Sequence, residues 1–277
     1  MPKGDFRVRE VMAKSVLNPS RIGGVAYAIN PYVGCQHACS YCYARFMSRY
    51  TGHQGERWGS FVDIKVNAAR VLQQQLRRRR NPVRGSVLFS SVTDAYQPLE
   101  RRYKVTRNCL ELLRNHGVPV SVLTKSDLVL RDLDLLGEIP DTEVGMTVIT
   151  LDEKVRRVFE AGAPPAERRV AALTECASQG IQTYAFVGPI IPYLSTPSLE
   201  DLISQLAESG VSYLFFDRLN IKYGNRLIIE EALRTAFPKQ SHDILAALQQ
   251  TSLYYPQLRT ELEVIVRHHH LDADFLF

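Results

Sequence analysis

Three cysteines on one short segment are the residues of this sequence best suited to chemistry. Cys35, Cys39 and Cys42 lie within NPYVGCQHACSYCY, residues 30–43, with the spacing C-x-x-x-C-x-x-C. Thiolates are soft ligands that select zinc, copper(I) or iron–sulfur clusters. A closed zinc site needs a fourth ligand, usually from a second short Cys/His pair, and no such pair follows. The spacing therefore favours a four-iron cluster with three protein ligands and one iron open to another molecule.

Other interpretations of the cysteines also follow from the residues. A structural zinc loop completed by His37 or by a distant cysteine stays open as the alternative. A disulfide is disfavoured because the five cysteines are an odd number and the N-terminal stretch lacks the apolar core of a signal peptide. Cys109 and Cys176 fall on predicted helices and are expected to be buried packing residues. Reduced cysteines indicate a cytoplasmic protein, and no apolar run approaches the ~20 residues of a membrane span.

The elements around the cysteines alternate between short apolar strands and helices. Six strands are predicted, at residues 26–30, 87–89, 118–123, 144–149, 183–187 and 211–216. The predicted helices include one over about residues 63–80 and one over 199–209 that is capped by Ser198. Continuous apolar runs are typical of parallel strands that are covered on both faces, and right-handed crossovers close such strands into a barrel. The sequence predicts an α/β fold, a partial (β/α)6 TIM-like barrel over residues 26–218. An N-terminal extension over 1–25 is expected to be irregular, and residues 219–277 are expected to form a helical cap packed on the barrel.

Polar residues follow several of these strands at the point where each strand ends. They are Thr93-Asp94, Lys125, Thr147 with Thr150, Gly188-Pro189, and Asp217-Arg218 with Asn220. In a parallel barrel the carboxyl ends of the strands meet at one face, which carries the chemistry. Each residue alone could be a cap or a turn, but their recurrence at one face indicates a site.

The cysteine segment resembles the cluster loop of the radical SAM superfamily, which has this spacing and an aromatic residue next to the last cysteine. Four further segments resemble the spore photoproduct lyase-related members: TDAYQPLE (93–100), TKSDLVLRDLDLL (124–136), EAGAPPAERR (160–169) and GPIIP (188–192). The resemblance covers about residues 17–225 and implies the partial (β/α)6 barrel of that superfamily. It also implies a [4Fe–4S] cluster on Cys35, Cys39 and Cys42 that binds S-adenosylmethionine. In that family the cofactor is cleaved reductively to a 5′-deoxyadenosyl radical that abstracts hydrogen from a substrate.

Roles of single residues are implied by the same resemblance. Asp94, Lys125 and Thr147 correspond to contacts with the methionine and ribose part of the cofactor, Asp94 with its amino group and Lys125 with its carboxylate. Gly188 falls where the backbone approaches the adenine, which a glycine permits, and Tyr43 where an aromatic residue packs near it. A small electron donor such as flavodoxin or ferredoxin is the implied partner.

The resemblance to the lyase itself has one departure. Tyr41 and Tyr43 flank Cys42 as two tyrosines do in the lyase, where one relays a hydrogen atom. The lyase also has a cysteine, just before the aspartate of the second strand end, that returns a hydrogen atom to the product. Here residues 90–94 read SSVTD and contain no cysteine. The resemblance therefore implies the cofactor chemistry and not the substrate.

Charge leaves the substrate open. The net charge is +5, and five arginines at positions 77–80 and 84 fall within eight residues. They indicate either a solvated helix end or contacts with nucleic-acid phosphates. The leading hypothesis is a radical SAM enzyme that acts on an unknown substrate, with nucleic acid one candidate. The alternatives are a non-catalytic nucleic-acid-binding protein with a metal or cluster loop, and a radical SAM enzyme that acts on a peptide or small molecule.

Overall fold

The computed structural model describes residues 6–222 and 224–277. The strands in chain order are β1 (Arg7–Val11), β2 (Asn18–Pro19), β3 (Val25–Ile29), β4 (Tyr32–Val33), β5 (Phe61–Lys65), β6 (Ser86–Phe89), β7 (Val120–Thr124), β8 (Glu143–Thr147), β9 (Gln182–Ile190), β10 (Tyr213–Arg218) and β11 (Asp272–Phe275). The α-helices are α1 (Ala68–Arg77), α2 (Glu100–Tyr103), α3 (Val105–Asn115), α4 (Leu133–Leu136), α5 (Glu153–Phe159), α6 (Ala166–Ser178), α7 (Leu199–Glu208), α8 (Arg226–Ala236), α9 (Ser241–Gln249) and α10 (Thr251–His268). Short 3-10 helices cover Tyr43–Tyr50, Asp127–Asp132 and Thr196–Ser198. In the ranges just given, no helix combines the length and apolar content needed to cross a bilayer.

The main sheet is a partial barrel with the order β11-β10-β9-β8-β7-β6-β3-β2. Strands β3, β6, β7, β8, β9, β10 and β11 pair in parallel, and β2 pairs antiparallel with β3. Outward side chains such as Val122 and Met146 share one buried cluster with helix residues such as Leu110 and Leu173. The continuous apolar runs therefore predicted these strands correctly, because both the helices and the barrel interior cover them. The partial barrel is confirmed, with one more parallel strand than the six predicted.

A second, three-stranded sheet in the order β1-β5-β4 supports the cysteine segment. Its strands correct two predictions: residues 7–11 are not an irregular lead-in, and the helix predicted over 63–80 is strand β5 followed by α1. Strand β1 pairs in parallel with β5. The guanidinium of Arg9 on β1 supports this pairing, because it binds the carboxylate of Asp63 on β5 at 2.7 and 2.8 Å. Since β4 leads directly into the cysteines, this sheet fixes where their segment starts.

The C-terminal region covers one end of the barrel and then joins its sheet. Helices α8 to α10 are followed by β11, which pairs in parallel with β10 and was not predicted. Tyr255 on α10 links this region to two strand ends. Its hydroxyl donates to the Ile190 carbonyl at 2.9 Å and accepts from the Leu219 N–H at 3.1 Å. These two bonds hold α10 against the carboxyl ends of β9 and β10.

Two of the segments that carry the resemblance build a buried charge network. Glu100 and Asp132 are fully buried, and both bind Arg131, at 2.8 and 2.7 Å. Arg107 adds a 2.8 Å contact to Asp132, and the Tyr32 hydroxyl donates to Glu100. Buried carboxylates need such partners because burial without them is costly. The network ties the helices on both sides of β7 together, which is a structural role.

Candidate active site

The cysteine segment runs over the carboxyl end of the barrel and is held there by its backbone. Gly34 has φ +82°, and a side chain on it would overlap the carbonyl oxygen of Phe61. A side chain on Gly162 would overlap the carbonyl oxygen of Gln36 in the same way. Both glycines are therefore required by close backbone approach. The segment is fixed from β5 on one side and from the turn after α5 on the other.

The three thiols of this segment form a donor set that fits an iron–sulfur cluster. Cys35 and Cys39 are buried, Cys42 is half-buried, and none is in a disulfide. Burial raises the pKa of all three, that of Cys39 to about 12, so a cationic metal centre is needed to hold them as thiolates. Within residues 6–222 and 224–277, no three His, Cys, Asp or Glu side chains converge as a single metal ion requires. In a four-iron cluster each thiolate binds a different iron, so its ligands need not meet at one point.

His37 is engaged with the protein, which disfavours the zinc alternative. Its Nδ1 lies 3.2 Å from the Gly162 carbonyl oxygen. Its Nε2 lies 3.2 Å from Asp94 Oδ2, an electrostatic contact without hydrogen-bond alignment. The imidazole is buried between these groups and so ties the cysteine segment to the end of β6.

Asp94 has protein partners on both carboxylate oxygens. Oδ1 accepts from Thr124 Oγ1 at 2.6 Å and from the Tyr96 N–H at 2.8 Å, and Oδ2 accepts from the Lys125 N–H at 2.9 Å. Burial alone would raise the pKa of Asp94, but His37 and the donors from β7 outweigh it and hold this pKa well below its ordinary value. Asp94 therefore joins the ends of β6 and β7 and meets the cysteine segment through His37. Its contact with the cofactor stays a prediction.

A second buried charge network lies beside the thiols. Glu160 accepts from the Tyr41 hydroxyl and lies 2.7 Å from Arg169 Nη2. Lys125 Nζ lies 3.8 Å from Glu160 Oε1, beyond hydrogen-bond distance. Arg169 Nη1 donates to the Thr147 carbonyl at 2.8 Å, which anchors the network to the end of β8.

The network places positive charge next to the cysteines. Lys125 and Arg169 face one carboxylate, that of Glu160, which leaves one net positive charge. Burial alone would lower the pKa of Lys125, but the nearby Cys39 and Glu160 raise it above its ordinary value. Glu160 and Arg169 were not singled out from the sequence as site residues, although both lie in the EAGAPPAERR segment. Glu160 is 0% exposed and Arg169 is 1% exposed, and no feature of the sequence indicates that these two charged residues are buried.

Tyr41 and Tyr43 occupy different environments. Tyr41 is buried against Glu160, and burial raises its pKa well above the ordinary value. Tyr43 is 48% exposed, and its hydroxyl donates to the Ser91 carbonyl. Tyr43 therefore lies at the opening of the barrel, beside residues 90–94, the segment in which the lyase has its hydrogen-donating cysteine and this chain has none.

The sequence predicted that Gly188 follows the fifth strand, but it lies within that strand, β9. A Cβ at this position would lie 2.6 Å from the Phe186 ring and 3.1 Å from Asp217 Cβ. Asp217, on the neighbouring strand β10, is partly buried, which raises its pKa to about 6. The Phe186 ring and Asp217 already occupy the space that a side chain would need, so packing requires a glycine at this position. Approach of the adenine to its backbone stays a prediction.

The arginines at 77–80 and 84 lie away from this site. They fall between the end of α1 and the start of β6, and hence at the amino end of the barrel strands. Arg79 stacks on the Tyr27 ring at 4.8 Å and donates to its hydroxyl. The topology favours the solvated helix end over a substrate contact at the cysteines.

Known proteins with a similar sequence or fold include members of the superfamily that the cysteine segment resembles. An uncharacterized protein of Methanocaldococcus jannaschii is 38% identical over 217 residues, which cover 78% of this chain and 79% of that protein. The radical SAM Nα-GlyT isomerase of Pseudomonas phage M6 is 25% identical, over 76% of this chain and 43% of the isomerase. The structure of spore photoproduct lyase complexed with dinucleoside spore photoproduct superposes with a TM-score of 0.61 at 19% identity, over 84% of this chain and 66% of the lyase. At that identity the likeness is one of fold.

The family assignment follows from a match over most of the barrel. The model of the radical SAM superfamily matches residues 29–206, which include the three cysteines and the strand ends β6 to β9. Members of that superfamily use a [4Fe–4S] cluster and S-adenosylmethionine. The match covers more than half of the sequence, and this chain therefore belongs to the radical SAM superfamily.

Proposed function

We propose that this protein is a radical SAM enzyme whose cluster is ligated by Cys35, Cys39 and Cys42. The bound cluster and cofactor supply a 5′-deoxyadenosyl radical that abstracts hydrogen from a substrate. The observation that carries the proposal is the position of three free thiols on one rigid segment over the carboxyl end of the barrel. A small one-electron carrier such as flavodoxin or ferredoxin is the proposed source of the electron.

The chain's own residues then bind and orient the cofactor. Lys125 is the residue we assign to the carboxylate of S-adenosylmethionine, because its ammonium faces Glu160 only at 3.8 Å and retains donors for a charge-assisted bond. Gly188 is proposed to admit the adenine, and Tyr43 to pack near it. Thr147 and Asp94 are proposed to contact the ribose and the amino group.

Nucleic acid, or a nucleotide, is the substrate class that we propose. The names of two relatives support it: the lyase was solved with a dinucleoside, and the phage protein is a radical SAM Nα-GlyT isomerase. The barrel interior supports it independently, because four of its inward side chains on β9 and β10 are aromatic. Tyr184 stacks on Tyr213 with ring centroids 5.1 Å apart, and Phe186 and Phe215 lie 6.3 Å apart further along the same strands. Aromatic faces of this kind bind bases of any sequence by stacking.

Anaerobic reconstitution tests the cluster. We expect about four iron and four sulfide per chain, an EPR signal on reduction, and formation of 5′-deoxyadenosine from S-adenosylmethionine without substrate. Cys35→Ala should lose all three, whereas Cys109→Ala, a fully buried thiol on α3, should keep them. Stoichiometric zinc, with no cluster after reconstitution, would show that the assignment is wrong and would favour a non-catalytic binding protein.

A further inference from the structure

A basic cavity lies behind the cysteine segment, outside the barrel. Its volume is about 220 Å³, below the ~300–1,000 Å³ of pockets for whole small molecules. It therefore suits one group of a larger ligand. Its lining residues are Arg45, Phe46, Ser48, Arg49, Glu56, Arg57, Trp58 and Ile228.

Positive charge dominates this cavity. Arg45, Arg49 and Arg57 line it together with one acid, Glu56. The acid is already engaged, because its Oε1 lies 3.2 Å from Arg7 Nη1 and 3.0 Å from His53 Nδ1. Within residues 6–222 and 224–277, neither Arg49 nor Arg57 pairs with an acid. Uncompensated guanidinium groups around a concave surface favour an oxyanion that accepts several N–H bonds.

Two buried donors in the lining also have no acceptor. Trp58 is 6% exposed, and its indole Nε1 has no hydrogen-bond partner in the described part of the chain. The same holds for Nε of Arg45, whose terminal nitrogen only reaches the Gly224 carbonyl at 3.5 Å. Buried N–H groups without an acceptor are rare and call for a partner from outside the protein. Because donors outnumber acceptors in this lining, the cavity favours a ligand that brings oxygen atoms and negative charge.

The cavity is one layer of side chains away from the proposed cluster ligands. Trp58 packs in the same buried cluster as Cys35 and Ala44. The 3-10 helix Tyr43–Tyr50 carries Arg45 and Arg49 towards the cavity, and its first residue, Tyr43, contacts Ser91 at the barrel opening. One short helix therefore borders both the cavity and the opening.

We propose that this cavity binds a backbone phosphate of a nucleic-acid strand whose base enters the barrel. The proposal rests on nucleic acid as the substrate class of the proposed function and assigns the phosphate contacts to Arg45, Arg49 and Arg57. Phosphate contacts fix the position of a strand without reading its sequence. The arginines at 77–80 and 84 have no part in it, because they lie at the other end of the strands.

Binding of a fluorescein-labelled single-stranded DNA to the reconstituted full chain tests the proposal. Fluorescence anisotropy is measured at several salt concentrations for the parent, for Arg49→Gln/Arg57→Gln, and for Arg78→Gln/Arg80→Gln as the matched control. All four side chains are exposed, so none of these changes should unfold the chain. We expect the cavity variant to bind more weakly, with a log–log salt slope that is smaller by about 0.7 for each arginine removed. The control should bind as the parent does.

Trp58 reports on the cavity itself, since it is the only tryptophan of the chain. We expect its emission to change when the charged strand binds, and to stay constant with a methylphosphonate strand of the same sequence, which carries no backbone charge. Equal binding of the two strands would overturn the proposal. So would a response of Trp58 to inorganic phosphate without strand binding, which would make the cavity a site for free phosphate. Loss of affinity for an acidic flavodoxin in the cavity variant, with strand binding unchanged, would overturn it too and would assign the surface to an electron carrier.

Formation of 5′-deoxyadenosine by the same preparation separates the two proposals. A parent protein that forms this product but binds no strand at low salt refutes the phosphate site and leaves the radical SAM function standing. A parent that binds the strand but forms no product refutes the proposed function instead.

Discussion

Replacing Glu160 by glutamine tests whether the buried network holds the cysteine segment in place. Glu160 is fully buried and balances Lys125 and Arg169, while Tyr41 donates to it. Glutamine keeps the shape and removes the charge, so two buried cations lose the carboxylate that they share. Breaking a buried ion pair in this way costs about 3–5 kcal/mol. At an unfolding entropy of about 2.1 cal/mol/K per residue, that corresponds to a fall in Tm of roughly 5–9 °C for a chain of this length.

Glu153→Gln is the matched control. Glu153 also binds two arginines, Arg156 at 2.6 Å and Arg157 at 2.8 Å, but it lies on the surface of α5. Exposed ion pairs contribute only about 0–1 kcal/mol. The two substitutions therefore remove the same charge and differ chiefly in the exposure of the carboxylate, 0% for Glu160 and 37% for Glu153.

Thermal unfolding of the anaerobically reconstituted proteins, followed by circular dichroism, measures both effects. The pKa of Glu160 lies below its ordinary value of 4.5, because Arg169 and Lys125 outweigh the effect of burial. As the pH falls, Glu160 therefore takes up its proton in the unfolded chain before it does so in the folded protein. Glu160 stabilises the fold at neutral pH, and this stabilisation is lost as the pH falls below ~4.5. The difference in Tm between the parent protein and Glu160→Gln should therefore become smaller at low pH. An equal fall in Tm for the two variants at pH 7.5 would refute the reasoning.

Three substitutions and one substrate assay test further features of the site. Asp217→Asn should raise the Tm at pH 8 and not at pH 4. Burial raises the pKa of Asp217 to about 6, so the parent protein loses stability as the pH rises from the ordinary aspartate pKa of 3.8 through 6. A difference in Tm that stays constant from pH 4 to pH 8 would contradict this. Tyr41→Phe should cost about 1–3 kcal/mol by leaving a buried carboxylate without its donor, and Tyr43→Phe, at an exposed hydroxyl, clearly less; urea titrations compare them. Gly188→Ala should weaken binding of S-adenosylmethionine in calorimetry, with Gly23→Ala as the control, because no atom lies within 4 Å of the new Cβ there and its φ is not positive. Spore photoproduct should not be reversed efficiently, because residues 90–94 contain no cysteine; clean conversion of a dinucleotide spore photoproduct to thymidine pairs would show this to be wrong.

The barrel could be predicted because its strands are buried on both faces and therefore read as continuous apolar runs. Strand β1 could not, since four of its five residues are exposed and its partner β5 lies more than 50 residues away. β5 itself is followed at once by the helical spacing of α1, which extended the predicted helix backwards over it. β11 is short and alternates exposed with half-buried residues, and its apolar side chains resemble an ordinary chain end.

The cysteines and the strand ends were found because chemistry constrains residue type and spacing there. The charge network beside them was not, because Glu160 and Arg169 resemble the surface charges of two neighbouring helices. Only the turn between α5 and α6 brings them under the cysteine segment, where Tyr41 and Lys125 arrive from other parts of the chain. Ser198, predicted to cap α7, similarly bonds Thr150 Oγ1 at 3.1 Å instead. Pairings between distant segments leave no periodic signal in a sequence.

The structure separates two tyrosines that the resemblance treats alike. The hydroxyl of Tyr41 is committed to Glu160, and its ring lies 5.8 Å from Lys125 Nζ in a buried layer. A hydrogen atom leaving this hydroxyl would disturb the ion pairs that hold the thiols in position. The hydroxyl of Tyr43 instead meets the Ser91 carbonyl at the edge of the barrel opening, within the segment where the lyase has its donor cysteine. For a hydrogen atom exchanged between a tyrosine and the substrate we therefore propose Tyr43, and for Tyr41 a positioning role for the cysteine segment.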